Sequence, residues 1–242
     1  MKKKGSQDGI SGMGCVNGDR IIYTGYSGNN GTVVTSDIPT QDSTIVFNFV
    51  DCGDGIHYYL TVKIDTQTWM AENLKTTKYN DGTAITQVAG SEPSTEAYTY
   101  YDNDISNLNI YGALYNWYAV NTGKLCPTGW HVPYLAEWNT LADFLGSVFV
   151  AGGKMKEKGY NHWFTPNTGA TNERGFGALP GGKGVTNFFS KGENAYFWSS
   201  SEYESNNSWS YYTQLSYDSY LVGIGGATVK EYGFSVRCLK DN

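Results

Sequence analysis

The sequence predicts an α+β domain in which two or three short helices precede a strand-rich half with much loop. Three observations predict it. The 242 residues include 30 Gly, 20 Tyr and 7 Trp but only 6 Pro, a composition of short strands and turns closed by aromatic packing. The segment from Pro133 to Leu145 carries a helical stripe of apolar residues. From Glu193 to Lys240, by contrast, 19 of 48 positions are Tyr, Ser or Asn. Tyr offers large, rigid, half-polar contact area, and Ser, Asn and Gly adapt around it, so this tail reads as a recognition surface.

The elements follow in order. Residues 1–48 are rich in Gly, Ser, Thr and Asn, with strand candidates at Arg20–Thr24 and from Thr44 to Val50, and a turn signal, SGNNG, between them. This section is read as an attachment arm, a stalk base or an edge ribbon. The main domain is assigned to residues 49–242. Tyr59–Ile64 predicts a strand, and Thr68–Leu74 follows it. Residues 80–107 read mostly as loop. Tyr111–Val120 (YGALYNWYAV) has apolar residues at helical spacing and predicts a short helix. Pro133 suits the first turn of the clearest helix, Leu135, Trp138, Leu141 and Leu145 make its stripe, and Gly146 can close it. Lys154–Lys156 predicts a single helical turn. Strands are then expected near Tyr196–Ser200, Ser208–Leu215, Tyr220–Ile224 and Tyr232–Leu239, in twisted antiparallel sheets.

Composition excludes some partners. The net charge of −6 and a pI near 5.0 argue against nucleic acid, which wants a basic face. No apolar run approaches the length that spans a membrane. Met1–Lys4 resembles the start of an export signal, and Met13-Gly14-Cys15 a lipid-attachment box. The intervening residues are polar, so the expectation is no signal peptide in this chain. The four cysteines (Cys15, Cys52, Cys126, Cys238) include no CxxC pair, which argues against zinc. A bridge between Cys126 and Cys238 would close a loop worth up to about 4–5 kcal/mol. Four buried thiols are the alternative, and a Cys15–Cys52 pair is weaker still.

Seven segments carry a resemblance. They are Val62–Thr83 (VKIDTQTWMAENLKTTKYNDGT), Tyr111–Val120, Leu125–Trp138 (LCPTGWHVPYLAEW), Gly152–Gly159 (GGKMKEKG), Asn172–Gly182 (NERGFGALPGG), Phe197–Tyr203 (FWSSSEY) and Tyr232–Asp241 (YGFSVRCLKD). In this order they resemble the Fibrobacter succinogenes major paralogous domain family. The resemblance implies a C-type-lectin-like fold on surface or secreted proteins of Bacteroidetes and Fibrobacteres, among them lipoproteins. It also implies core roles for Trp69, Trp130, Trp138 and Trp198 and a Cys126–Cys238 staple. A virus particle is the alternative location. A narrower resemblance is to proteins diversified by retroelements, which place a C-terminal variable region on the same fold. Each residue of Leu221–Thr228 (LVGIGGAT) is reachable from an Asn codon by adenine change alone, and an ordinary Gly-rich hairpin is the other reading.

The candidate ligand contacts are Tyr203, Asn206, Asn207, Tyr212, Gln214, Tyr217, Tyr220, Leu221, Val222 and Ile224. Along Ser208–Leu215 the period of two, with Trp209 inward, would turn Tyr211, Thr213 and Leu215 inward and Ser208, Ser210, Tyr212 and Gln214 outward. The expected ligand is a protein or glycan on another cell or surface, bound by an adhesin or receptor-binding face. A structural surface lipoprotein or pilus-associated subunit is the alternative. No catalytic residue, cofactor or metal is expected. His57, His131 and His162 lie outside any GxSxG, HExxH, P-loop or Rossmann pattern. Glu202 and Glu204 lack a partner acid for glycoside cleavage. DCGDG (Asp51–Gly55) and Asp102-Asn103-Asp104 read as turns rather than calcium loops.

Overall fold

The computed structural model describes residues 20–37, 45–91 and 93–241. Strands β1 (Arg20–Ser27) and β2 (Asn30–Asp37) form a hairpin whose two-residue turn places Gly28 at φ 60°. After β2 come β3 (Leu60–Ile64), β4 (Gln67–Met70), β5 (Thr86–Gln87) and β6 (Ala97–Thr99). Next are α1 (Ile105–Tyr111), β7 (Leu114–Tyr115), α2 (Trp117–Asn121), β8 (Trp130–His131), α3 (Leu135–Phe144) and α4 (Val148–Met155). The C-terminal part supplies β9 (Gly181–Gly184), β10 (Phe188–Lys191), β11 (Asn194–Glu202), β12 (Trp209–Ser216), β13 (Val222–Val229) and β14 (Leu239–Lys240).

These elements form three sheets, ordered β1-β2-β3-β4-β14-β8, β10-β9-β11-β12-β13 and β5-β6-β7. The sheets are mixed: β2–β3, β9–β11 and β5–β6 pair in parallel, against the expectation of antiparallel sheets alone. The short C-terminal β14 sits between β4 and β8, with Leu239 opposite both Trp69 and His131. The N-terminal hairpin is therefore an edge ribbon on the sheet that receives the chain's end.

Two cores share β11. Tyr196 and Trp198 belong to one, with Tyr115, Trp117, Trp130 and Phe234. Ala195 and Phe197 belong to the other, with Trp69, Trp138, Phe176, Leu215 and Val222. Alternate side chains of an extended strand point to opposite faces, so an uninterrupted run of large residues marks a strand covered on both sides. Trp198 stacks on Phe234 at 4.5 Å, and Trp69 meets Trp138 at 4.8 Å. Two buried indoles of the first core keep hydrogen-bond partners: Trp198 Nε1 donates to the Tyr115 carbonyl at 2.7 Å and Trp117 Nε1 to that of Ser199 at 2.9 Å, whereas the buried Trp138 Nε1 of the second core has none among the described residues. Cys126 and Cys238 form a disulfide across the first core. Cys52 is a buried thiol whose pKa burial drives far upward, and the Cys15–Cys52 pairing lies outside the described residues.

Several elements differ from expectation. Tyr111–Val120 is not one helix. α1 stops at Tyr111, Gly112 takes φ 78°, and a Cβ there would lie 2.7 Å from the Leu74 carbonyl oxygen. Asn116 then starts α2 by accepting from the Ala119 N–H at 3.1 Å while donating to the Thr95 carbonyl at 2.7 Å. Residues 45–50 join no ladder; the ribbon's second strand is β2. The single turn expected at Lys154–Lys156 is the end of α4, so the described residues hold four α-helices and one 3₁₀ turn, Tyr101–Asn103. Of Tyr232–Leu239, only Leu239 enters a named strand.

Candidate functional site

β12 carries a turn at each end. Residues 203–208 join it to β11, and residues 217–221 join it to β13. Eight residues of strand separate the two turns by roughly 25 Å. The sequence-predicted contacts therefore do not form one patch. Tyr203, Asn206 and Asn207 sit at the first turn; Tyr217, Tyr220 and Leu221 sit at the second; Tyr212, Gln214, Val222 and Ile224 lie along the strands between.

The facing of β12 also differs from a simple alternation. Trp209 is 38% exposed, whereas Ser210, Thr213 and Leu215 are buried. Register shifts between Trp198 and Glu202 and between Tyr212 and Thr213 break the period of two, and Gly225, at φ 84°, is the extra residue opposite the second. Tyr212 is wedged between Tyr196 at 5.9 Å and Phe234 at 5.2 Å. Gln214 Nε2 donates to Asn194 Oδ1 at 3.0 Å. Val222 is buried in the second core, out of reach of an external ligand, and Ile224 is half-buried against it.

The first turn gathers three rings. Tyr203 lies 6.2 Å from Trp209, with ring planes 34° apart, and 5.3 Å from Tyr211, edge-on at 83°. The turn is closed locally: the Asn206 N–H donates to the Tyr203 carbonyl at 3.1 Å, and Asn206 Oδ1 accepts from the Ser208 N–H at 2.9 Å. Exposed Glu204, Ser205, Asn206 and Asn207 surround it. Behind the rings, Lys230 Nζ contacts Glu202 at 3.3 Å and stands 4.3 Å over the Trp117 ring. The Tyr118 hydroxyl donates to Glu231 at 2.7 Å.

The second turn is moored by its main chain. Lys156 Nζ, buried, donates to the carbonyls of Ser216 at 2.7 Å and Ser219 at 3.0 Å, and burial lowers its pKa to about 8. The Gly153 N–H donates to the Tyr220 carbonyl at 3.1 Å and the Thr168 N–H to that of Tyr217 at 2.7 Å. Tyr220 and Leu221 side chains remain 56% and 49% exposed.

His131, Asp54 and Asp104 are engaged in local hydrogen bonds. His131 lies between Asp241 Oδ1 at 2.6 Å and Glu137 Oε2 at 3.0 Å, and these carboxylates, Glu137 foremost, raise its pKa. Glu137 also accepts the Tyr134 N–H at the start of α3. Asp54 accepts from the Tyr59 hydroxyl at 2.6 Å and from the Ile56 and His57 N–H groups, so its oxygens serve a turn. Asp104 accepts the Ser106 N–H at the start of α1. Among the described residues, no group of three His, Cys, Asp or Glu is placed to hold a metal ion.

Arg237 decides how the segments fit together. Its guanidinium, buried beneath the Phe176 ring at 4.3 Å, donates to Asn73 Oδ1 and to the Phe176 and Gly177 carbonyls. It thus ties Val62–Thr83, Asn172–Gly182 and Tyr232–Asp241 into one unit. The model of the Fibrobacter succinogenes major domain matches residues 62–240. The chain belongs to this family. No curated protein and no solved structure matches it. In this Fibrobacter succinogenes major domain three of the recognisable segments meet at Arg237, and both turns beside β12 fall within the matched range. The sequence reading missed Trp209 and Tyr211, which the strand period turned inward; the Gly225-Gly226 pair was the available sign of a bulge. It also missed Lys156, whose flanking Met155 and Gly152-Gly153 gave the signal that this lysine borders a tightly packed helix.

Proposed function

We propose that this protein is a non-enzymatic, surface-displayed binding protein of C-type-lectin-like fold, an adhesin or receptor-binding type that holds a protein or glycan on another cell. One observation carries the reading. Trp209 exposes 38% of its surface beside Tyr203 and Tyr211, while the other six tryptophans expose 4% or less. A partly exposed tryptophan beside half-buried tyrosines is the kind of side chain enriched at binding hot spots. The arrangement supports binding by shape and hydrogen bonding on a rigid scaffold. The location in this reading is the cell surface or the secreted fraction, and a phage particle is the second choice.

Retroelement diversification belongs to the same proposal in a narrowed form. The buried Val222 belongs to the second core, and a Cβ at Gly226 would lie 2.6 Å from the Tyr212 ring. Variation there would cost packing, so the diversified positions in this reading are the exposed ones, Leu221 and Gly223. The coding DNA tests it: a near-identical downstream repeat differing at adenines is expected, with those differences at these exposed positions.

A structural envelope or pilus subunit is the second reading. Phe149, 71% exposed on α4, and Leu221 favour it, since both suit permanent packing against a neighbour. Glycan and protein arrays separate the two. The binding reading expects a selective ligand whose signal is lost in Tyr203→Ala plus Trp209→Ala; arrays silent for the wild-type protein would count against it.

A further inference from the structure

We infer that the Tyr203–Trp209–Tyr211 cluster takes an organic cation, an alkylammonium or guanidinium head group. This deepens the binding reading above and rests on it. Elsewhere in this fold, several aromatic rings are supplied with a cation from within, although among the described residues the Phe47–Phe49 and Tyr98–Tyr115 pairs are not. Lys75 stands over Tyr59, Lys156 over Trp163, Lys183 over Tyr196 and Tyr232, Lys191 over Tyr101 and Tyr111, and Arg237 over Phe176. Among the described residues, no Lys or Arg stands over Tyr203, Trp209 or Tyr211. Trp209 is the exposed ring of this cluster, Tyr203 and Tyr211 are half-buried, and the rings meet at 34° and 83°, so they present two faces at a steep angle to one another. A cation between such faces is attracted by the negative quadrupole of each ring.

The surrounding charge has the matching sign. Glu202, Glu204 and Glu231 belong to this end of the sheet, against the single Lys230. The Lys230 ammonium is already engaged by Glu202 at 3.3 Å and by the Trp117 ring at 4.3 Å. Glu204 is exposed and contiguous with Tyr203 in the turn. The whole chain carries a net charge of −6. A cationic ligand thus meets an attractive field on approach and ring faces on arrival. A neutral sugar would use the rings and donate hydroxyl hydrogen bonds to the carboxylates, but it would gain nothing from the field on approach.

Two sources present this chemistry: Lys or Arg side chains of a basic protein segment, and small quaternary amines such as choline. Titration of the folded protein at low salt, followed by the emission of Trp209, tests the inference and separates the sources. Trp209→Phe identifies which part of the signal comes from that ring. Choline is compared with 3,3-dimethylbutanol, its uncharged isostere, and oligolysine with an uncharged peptide of equal length. Choline is expected to bind at least about fivefold tighter than the alcohol, with Tyr203→Ala and Glu204→Gln each weakening it. Tighter binding of oligolysine than of choline assigns a protein partner, and the reverse assigns a small amine. Equal binding of choline and its isostere, no binding of any cation, or unchanged binding in Tyr203→Ala would overturn the inference. A neutral glycan captured on arrays through Trp209 would sink the cation alone and leave the binding reading standing.

Discussion

Gly152 lies flat against Leu221: a Cβ at Gly152 would fall on the Leu221 carbonyl oxygen and 2.9 Å from that of Tyr220. Gly153 is pressed in the same way against the Gly169 backbone, where a Cβ would lie 2.5 Å from the carbonyl oxygen. α4 can therefore carry the turn at 217–221 only where it presents bare backbone. The exposed side chains of that turn are not what holds it.

Gly152→Ala is expected to lower stability by about 2–3 kcal/mol, because the obstructing atoms are backbone and cannot rotate away. Leu221→Ser should stay within about 0.5–1 kcal/mol of the wild type. Thermal and urea unfolding of the two variants checks this. A mild Gly152→Ala with a severe Leu221→Ser would mean that the side chains, not the backbone, moor the turn.

Arg237 is a buried cation that, among the described residues, forms no ion pair with a carboxylate, although the Glu72 charge acts on it. Burial lowers its pKa to about 9, yet its fork satisfies the Phe176 and Gly177 carbonyls and Asn73 together. Arg237→Met is expected to cost about 3–4 kcal/mol by leaving those acceptors unpaired. Arg237→Lys should recover little of it, since an ammonium lacks the planar fork. Equilibrium denaturation of the two variants measures both effects.

The disulfide joins residues separated by 112 positions. On the chain-entropy account, its reduction or Cys126→Ala plus Cys238→Ala is expected to remove about 4–5 kcal/mol, an upper bound for a cross-link of this span. Urea unfolding with and without reductant gives the number.

His131 makes stability depend on pH. Its folded pKa is raised above the ordinary 6.5, chiefly by Glu137, so the folded state favours the imidazolium. The resulting stabilisation is full below about pH 6.5 and is lost as pH rises through the raised folded value. The thermal midpoint is therefore expected to fall between about pH 6 and about pH 9 by more in the wild type than in His131→Gln. Equal slopes in the two proteins would remove His131 from the account.

Much of the architecture was legible because single residues fix it locally. The stripe of Leu135, Trp138, Leu141 and Leu145 marks α3, and the large side chains of Tyr196-Phe197-Trp198 mark a strand covered on both faces. What failed was non-local. Tyr111–Val120 has helical spacing, yet Gly112 must pass the Leu74 backbone and Asn116 must bond to Pro93, Thr95 and Ala97, contacts invisible to a short window. The site suffered from the same limit. A period of two carried through Ser208–Leu215 buries Trp209, and two bulges set by the neighbouring strands reverse that. The turn beside Tyr203 was legible because it is written in local residues; the burial of Val222 was not, because it is set by the second core.

The division of labour between Trp209 and Tyr212 puts the whole reading at risk most directly. Both are large aromatic residues of β12, but Trp209 faces water and Tyr212 fills the gap between Tyr196 and Phe234. The decisive measurement is ligand capture and thermal midpoint, taken side by side on Trp209→Ala and Tyr212→Ala. The expected result is lost capture with an unchanged midpoint in the first, and a clearly lowered midpoint in the second. Full ligand capture by a stable Trp209→Ala protein would contradict the account.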